Sequence, residues 1–300
     1  MKILIAGATG LIGKELVRQC EEEGISVHYL TTNKEKLNVF NHGQGFYWNP
    51  HREEMDTAAF QGVTAVINLA GAPVSKRWTK KRKEHILGSR LMTSRLIYET
   101  LASSDHQVTQ YLSASGISIY PSSYEKLYTE KDSSVSSSFL GQVVVAWEKE
   151  ADAFQELGIK VAKVRTGIVL DKNEGALPKL VGPIKKGFGA ALGNGKQWQS
   201  WIHVTDMAAI YLFLLKNGLS GVYNGVSPSP STQLKMTQLI ASQLKKPLWM
   251  PKVPSFMLKL MLGKMSSLVL ESQLVSSEKL EKAGYPFLYV NLEKALEDLL

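Results

Sequence analysis

The stretch that decides the fold is "MKILIAGATGLIGKELVRQCEEEGISVHYL", residues 1–30. Its apolar run "KILIAG" predicts a parallel β-strand that is covered on both faces. Gly7, Gly10 and Gly13 follow, and then a segment in which Leu16, Val17 and Cys20 can form a buried helical stripe. Gly24 is placed to end this helix before a second apolar strand. The order strand, glycine turn, helix, strand predicts the first unit of a doubly wound α/β sheet.

The spacing of the three glycines, G-x-x-G-x-x-G, predicts a dinucleotide site at the turn. The first glycine permits the tight turn, the second lets the backbone approach a pyrophosphate, and the third lets the helix pack closely on the strand. The helix then directs its unpaired N–H groups at the phosphates. The alternative is a strand–helix turn that binds no ligand. The predicted contacts from this turn are Gly7, Thr9, Gly10, Leu11, Ile12 and Gly13.

The end of the second strand bears on the choice of cofactor. An acid there binds the ribose 2′-hydroxyl of NAD, whereas an arginine accommodates the 2′-phosphate of NADP. The sequence "YLTTNKEK" (29–36) has no acid directly after the strand. Thr31 and Thr32 can donate to a phosphate, and Lys34 and Lys36 lie nearby or are simply solvated loop charges. This pattern favours NADP, with NAD as the alternative.

A third apolar strand, "TAVINLAG" (64–71), ends in small side chains. Small residues at the carboxyl end of a parallel strand let an adenosine or a ribose lie close to the backbone. Leu69, Ala70 and Gly71 are therefore predicted to form a wall of the cofactor site.

Several motifs in the same order resemble the extended short-chain dehydrogenase/reductase superfamily. The glycine spacing and "NLAG" match it, and "AWEKEA" (146–151), "RTGIVL" (165–170) and "GNGKQWQSWIHVTD" (193–206) resemble the atypical epimerase family proteins within it. The resemblance runs from residue 1 to the final "NLEKALEDLL" and implies a Rossmann-type, doubly wound parallel sheet with a smaller C-terminal substrate lobe. We place the NAD(P)-binding domain at 1–170 and the lobe at 171–300, with parts near 200–226 returning to the sheet.

The same resemblance implies NADP(H) as cofactor and a small-molecule substrate, of which a sugar nucleotide is one example. It also implies cofactor contacts from His85, Arg90 and Val169. For His85 the alternative is a surface or packing role, and Arg165 can equally serve as a buried ion-pair partner.

The catalytic Tyr-x-x-x-Lys pair of the superfamily is missing: none of the eleven tyrosines has a lysine four residues later. Counting back from Glu148 places Leu140 and Val144 at the two positions, and neither side chain can carry a proton. By resemblance Ser115 is the substrate-orienting serine. Tyr120 is a candidate proton donor, with a packing role as the alternative. His203 is either a general acid or a structural residue. We predict that the helix after it is capped by Thr205 or Asp206.

Two functions follow as hypotheses. One is an NADP(H)-binding, epimerase-like oxidoreductase that works without the usual pair. The other is a nucleotide-sensing or regulatory protein that retains only the cofactor site. The sequence therefore leaves open whether the protein is an enzyme.

The composition excludes several other classes. One cysteine among 300 residues permits no internal disulfide, and with no signal-peptide pattern we expect a cytoplasmic protein. The net charge is +8, yet basic residues 76–83 form only one isolated patch, so we expect no nucleic-acid partner. We find no metal-ligand spacing and expect no membrane partner. The Met- and Leu-rich stretch 254–274 predicts core packing between lobes; a homodimer or membrane-surface contact is the alternative.

Overall fold

The computed structural model describes all 300 residues. The chain forms fourteen strands, and its helices include ten of the α type. The strands are β1 Lys2–Ala6, β2 Ser26–Thr31, β3 Gly43–Asn49, β4 Glu54–Met55, β5 Ala65–Asn68, β6 Gln110–Gly116, β7 Leu127–Tyr128, β8 Lys160–Thr166, β9 Ile168–Leu170, β10 Trp198–Gln199, β11 Trp201–His203, β12 Gly221–Gly225, β13 Ser231–Thr232 and β14 Leu274–Val275. The helices are α1 Leu11–Glu22, α2 Lys80–Ala102, α3 Phe139–Asp152, α4 Leu177–Lys185, α5 Val204–Lys216, α6 Gln233–Gln243, α7 Ser255–Leu262, α8 Ser267–Leu270, α9 Glu278–Lys282 and α10 Leu292–Leu299.

Eight strands form the central sheet in the order β12-β8-β6-β5-β1-β2-β3-β4. Every neighbouring pair is parallel except β3 and β4. The chain builds outward from β1 through β2 to one edge and then restarts on the other side with β5. This reversal puts the carboxyl ends of β1 and β5 side by side, which is where doubly wound sheets bind their ligands. The predicted fold class is confirmed.

Alternate residues of the strands face opposite layers of helices. Ile3 and Ile5 lie in a cluster with α1 and α5, whereas Leu4 and Ala6 lie in a cluster with α2. This period of two follows from the pleat, and it explains why strands covered on both faces read as continuous apolar runs.

The first helix matches its predicted stripe. Leu16, Val17 and Cys20 are buried, and the helix ends at Glu22, two residues before Gly24 takes a left-handed φ of +66°. The stripe holds α1 against the sheet and against α5. The direction of its amino end is thereby fixed relative to β1.

The C-terminal part of the chain has a third apolar cluster, to which α4, α6 and α10 contribute. The chain also returns to the central sheet, since β12 pairs with β8 and α5 packs in the same cluster as α1. None of the helices is long and apolar enough to cross a membrane. The domain boundary near residue 170 stays a prediction.

Candidate functional site

The turn between β1 and α1 is held by two glycines for different reasons. Gly7 has a φ of +84°, and a side chain there would lie 2.9 Å from the carbonyl carbon of Leu69. At Gly13 a Cβ would lie 2.2 Å from the Gly7 oxygen and 2.6 Å from the Ala8 Cα. These contacts are with backbone atoms, so they cannot be relieved by rotating a side chain. The turn and the helix are therefore pressed against β1 and the end of β5.

The amino end of α1 has uncapped backbone amides. Gly10 is its N-cap residue and supplies no side-chain cap, and the first turn contains no acid. The first hydrogen bond of the helix is donated by the Lys14 N–H to the Gly10 oxygen, at 2.9 Å. The amides of Leu11, Ile12 and Gly13 precede it. Such amides, at the positive end of the helix dipole, form a site for phosphate oxygens.

The end of β5 supplies a wall beside this turn. Leu69 and Ala70 are half-buried and Gly71 is exposed. The wall is fixed from below by Asn68, whose fully buried side chain accepts a hydrogen bond from the Ala70 N–H at 3.0 Å and donates one to Tyr111 at 2.9 Å. The wall therefore keeps its shape without a ligand.

Arg90 on α2 lies against this wall. A Cβ at Gly71 would lie 3.1 Å from its Cζ, and its guanidinium donates to the carbonyl oxygens of Ile86 and Ala72 at 2.9 and 3.2 Å. It also lies over the ring of Trp147, 4.8 Å from the centroid. No carboxylate pairs with it. Burial, with a smaller contribution from Arg82, lowers the pKa of Arg90 to about 10, so it stays charged at neutral pH.

A dinucleotide fits this arrangement. Gly7 and Gly13 bring the turn and α1 into close backbone contact, and the half-buried cation of Arg90, without a counter-ion, stands beside the end of β5. A guanidinium is suited to bidentate hydrogen bonds with a phosphate. The residues predicted to hold the diphosphate therefore lie together in space, around the carboxyl ends of β1 and β5.

The predicted residues at the end of β2 differ in their accessibility. The Thr31 hydroxyl is buried and bonds within its own turn, donating to the Asn33 oxygen at 3.3 Å and accepting from the Asn33 N–H at 3.2 Å. Thr32 and Lys34 are exposed, and the Lys34 ammonium lies 5.1 Å from the centroid of the Tyr47 ring. Of the two threonines, Thr32 is the one free to meet a ligand.

Two further predicted residues stand differently: the segment that follows Val169 contacts α1, whereas the ring of His85 contacts His51. Val169 on β9 is half-buried. A Cβ added at Gly175 would lie 3.3 Å from the Val169 carbonyl oxygen and 3.1 Å from Cδ2 of Leu11. The chain after β9 thus reaches the first residue of α1. His85 is exposed and stacks on His51 with centroids 6.1 Å apart. Burial, Arg82 and His51 lower the pKa of His85, which favours its neutral form.

Behind the end of β6 lies a buried polar network. The Ser115 hydroxyl donates to a Glu148 carboxylate oxygen at 2.6 Å. Arg165 donates to both carboxylate oxygens, at 2.8 and 3.0 Å, and to the Tyr120 hydroxyl at 2.8 Å. That hydroxyl in turn donates to the Asn224 side chain at 2.8 Å. Within this network the hydroxyls of Ser115 and Tyr120 and both oxygens of Glu148 therefore have partners, as burial requires.

The geometry at Tyr120 corrects the prediction that it donates a proton to a substrate. The side chain is fully buried, and its only proton is directed at Asn224. Burial raises the pKa of Tyr120 even though Arg165 opposes the rise, whereas a tyrosine acting as catalyst needs a lower pKa. In this structure Tyr120 links β8 to β12 and packs on Tyr128, 5.0 Å between centroids.

Ser115 can still orient a substrate oxygen. Ser115 is itself buried, and because its proton is committed to Glu148, its oxygen is available to a substrate only as a hydrogen-bond acceptor. Burial acts to raise the pKa of Glu148, but the two hydrogen bonds and the charge of Arg165 outweigh it, and the pKa lies below its usual value. The carboxylate therefore stays ionised and keeps the serine in one orientation.

Leu140 and Val144, the two positions counted back from Glu148, place apolar side chains where the catalytic pair would stand. Val144 is buried and lies beside the end of β6, with Cγ2 3.5 Å from a Cβ placed at Gly116. Leu140 is half-buried one turn earlier on α3. No proton carrier occupies either place.

His203 proves to be a structural residue. It is almost fully buried, its Nδ1 accepts the Thr205 N–H at 3.1 Å, and it caps α5. Its ring stacks on Tyr289 at 3.8 Å, and Nε2 lies 3.2 Å from an Asp298 oxygen. The prediction that Thr205 or Asp206 caps this helix was wrong because the histidine ring reaches the first free amide instead.

Sequence reasoning missed two members of the site. Trp147 lies under Arg90 and so joins α3 to α2. Glu148 accepts the hydrogen bond of Ser115 and so joins α3 to β6. The motif "AWEKEA" contains both residues. Because they are consecutive, they point to two neighbouring sides of α3, and this was a signal that each side has its own partner. Their partners are distant in sequence and could not be named from it.

The fold and the turn define a Rossmann-type dinucleotide-binding protein. Residues 3–225 match the family model described as the NAD dependent epimerase/dehydratase family, and residues 253–299 match a domain of unknown function. The chain belongs to the NAD dependent epimerase/dehydratase family.

Two curated relatives and two solved structures give the range of similarity. Epimerase family proteins of Staphylococcus aureus and Staphylococcus epidermidis are 35% and 32% identical over 99% and 100% of this chain, and over 98% and 99% of their own. The human epimerase family protein SDR39U1, solved with NADPH, has a TM-score of 0.87 at 26% identity and covers 100% of this chain and 99% of its own. Thermus thermophilus UDP-glucose 4-epimerase, solved with NAD, has a TM-score of 0.80 at 20% identity over 99% and 97%, and it shows the shared fold.

Proposed function

We propose that this protein binds NADP(H) and carries out epimerase-like or oxidoreductase chemistry on a small-molecule substrate without a Tyr-x-x-x-Lys pair. One observation carries the proposal: the half-buried cation of Arg90, without a carboxylate partner, stands beside a glycine turn and three uncapped amides. When bound, the nicotinamide supplies a hydride donor or acceptor.

The choice of NADP over NAD rests on the end of β2. No acid follows this strand directly, and Thr32 and Lys34 are exposed there as donors for a 2′-phosphate. The human relative in complex with NADPH supports the same choice. A sugar nucleotide is the substrate class suggested by the epimerases that share the fold.

The chain's own residues have limited roles in this proposal. The turn and Arg90 hold the diphosphate, and the end of β5 shapes the pocket for the nucleoside. Ser115 accepts a hydrogen bond from a substrate hydroxyl, and the Glu148–Arg165 pair holds the serine in that state. Since neither Leu140 nor Val144 can carry a proton, the proton that accompanies hydride transfer would have to come from, or go to, solvent.

A second function, binding without chemistry, is favoured by a specific observation. Leu140 and Val144 occupy the positions of the catalytic pair, and Tyr120 is buried away from any ligand. A nucleotide sensor needs only the cofactor site and a change of shape or partner when it is filled.

One assay separates the two functions. The protein is incubated with NADPH and a panel of sugar nucleotides and carbonyl compounds, and the absorbance of reduced nicotinamide is followed. Turnover that disappears in Ser115→Ala but persists in Ser113→Ala supports the enzyme. Ser113 is the matched control because it lies on the same strand, is equally buried, and bonds only to a backbone oxygen, at 2.9 Å. Tight binding of NADPH with no oxidation across the panel supports the sensor.

A further inference from the structure

Helix α7 exposes most of its apolar side chains to solvent, whereas an ordinary surface helix buries them. Phe256, Leu260 and Met261 are 69%, 82% and 70% exposed, and only Leu258 is buried. At about 100° per residue the exposed apolar side chains occupy one side of the helix and Leu258 the opposite side. The expectation that this Met- and Leu-rich stretch packs between lobes is therefore wrong for the outer side of α7.

The apolar side continues onto a neighbouring segment. Val253, just before α7, donates its N–H to the Ala191 oxygen at 2.8 Å, and Gly193 donates to the Val253 oxygen at 2.9 Å. Phe188 and Trp249, on these two adjoining segments, are 62% and 66% exposed. We call the exposed residues of 185–193 and 245–264 the lysine-rich apolar face. Five large apolar side chains on it are each more than 60% exposed.

The charge of this face is of one sign. Between residues 175 and 270 the sequence contains eleven lysines and one acid, the buried Asp206. The lysines of the α7 segment are all exposed and none forms an ion pair: Lys245, Lys246, Lys252, Lys259 and Lys264. Lys185 and Lys186 on the adjoining segment are also exposed.

We propose that the lysine-rich apolar face docks this protein reversibly on an anionic phospholipid surface. Aromatic and aliphatic side chains that enter the boundary of the acyl chains, surrounded by lysines that meet anionic headgroups, are the composition of interfacial helices. The lysines explain the choice of occupant: a second copy would place two faces of the same positive sign together, whereas an anionic bilayer complements both charge and apolarity. The α7 part of the face lies at the start of the region matched to the domain of unknown function.

This proposal goes beyond nucleotide binding and does not depend on it. It also departs from the sequence-based expectation of no membrane partner. The contact is peripheral, since no helix crosses the bilayer.

The test is co-sedimentation of the full chain with vesicles of phosphatidylcholine and phosphatidylglycerol, mixed at about three to one, compared with phosphatidylcholine alone. We expect binding only to the mixed vesicles and its loss at high salt. The double variant Phe256→Ser, Leu260→Ser and the double variant Lys259→Glu, Lys264→Glu should each weaken partitioning by about tenfold or more. Because all four side chains are exposed, these variants should fold.

Matched controls are Val39→Ser, an exposed apolar side chain on a loop, and Lys131→Glu, an exposed unpaired lysine. Both should sediment like the wild type. Titration with NADPH should give the wild-type result for every variant, which separates this proposal from that of the cofactor site.

Three results would overturn the proposal. The first is no sedimentation with the mixed vesicles. The second is binding that is weakened by the double lysine variant (Lys259→Glu, Lys264→Glu) and unchanged in the double apolar variant (Phe256→Ser, Leu260→Ser). Such binding would be a general attraction to a polyanion. The third is a dimer, seen by analytical ultracentrifugation, that the apolar variant dissociates, because a second copy would then cover the face.

Discussion

Replacing Gly13 by alanine tests how tightly α1 is pressed against β1. The added Cβ would lie 2.2 Å from the Gly7 oxygen and 2.6 Å from the Ala8 Cα. Ordinary contact starts near 3.4 Å, so the helix must withdraw by about 1.2 Å. Overpacking of this kind costs about 1–3 kcal/mol, which outweighs a gain of up to about 1 kcal/mol from the better helix propensity of alanine.

The expected result for Gly13→Ala has two parts. Urea unfolding, followed by circular dichroism, should show a loss of about 1–3 kcal/mol in the free energy of unfolding. Calorimetric titration at a temperature where the variant is folded should show NADPH binding weakened by about tenfold or more. The second effect follows because the amides of Leu11 and Ile12 move with the helix, and a bond to a phosphate oxygen weakens steeply as it lengthens.

The matched control for stability is Gly88→Ala, in the middle of α2. A Cβ there would meet only the flexible end of Met92, at 3.4 Å, so this variant should gain up to about 1 kcal/mol. If Gly13→Ala kept both the stability and the NADPH affinity of the wild type, α1 would not be locked against β1 and the explanation of the glycine spacing would fail.

Other variants probe the charges of Arg90 and Glu148. Arg90→Ala should raise the dissociation constant for NADPH by about 10- to 100-fold in calorimetry, since it removes a charged hydrogen bond worth about 1.5–3 kcal/mol; Arg95→Ala, an exposed pair with Glu150, should leave it unchanged. Glu148→Gln leaves Arg165 buried without a counter-ion and should lower the free energy of unfolding in urea by about 3–5 kcal/mol, whereas Glu150→Gln should lower it by at most about 1 kcal/mol. Equal losses in the two glutamine variants would contradict the buried pair. Because folding lowers the pKa of Glu148, its contribution to the free energy of unfolding is complete above the ordinary pKa of about 4.5 and is lost as the pH falls below that value. The free energy of unfolding should therefore change less between pH 7 and pH 4 in Glu148→Gln than in the wild type.

The parts of the fold that the sequence predicted are those set by local chemistry. Gly7, Gly13 and the stripe from Leu16 to Cys20 each depend on residues within a few positions, and their spacing carries the information. The wall formed by residues 69–71 followed from one strand end. These local patterns were sufficient to predict the turn and the wall at which we propose that the diphosphate binds.

The parts that the sequence did not predict depend on contacts between distant residues. Tyr120 was a candidate proton donor until its hydroxyl was found between Arg165 and Asn224, 45 and 104 positions away. In the same way, the Met- and Leu-rich stretch 254–274 predicted core packing, but it did not show which side of α7 would be covered. Periodicity identifies a face, and only the assembled chain shows what packs on it.

The central claim is that a dinucleotide diphosphate binds at the amino end of α1 beside Arg90. Its most direct test is calorimetric titration of the wild-type protein with NADPH and, separately, with NADH. We predict saturable binding of one nucleotide per chain, tighter for NADPH than for NADH. Folded protein that binds neither nucleotide would contradict the claim, and tighter binding of NADH would contradict the role given to Thr32 and Lys34.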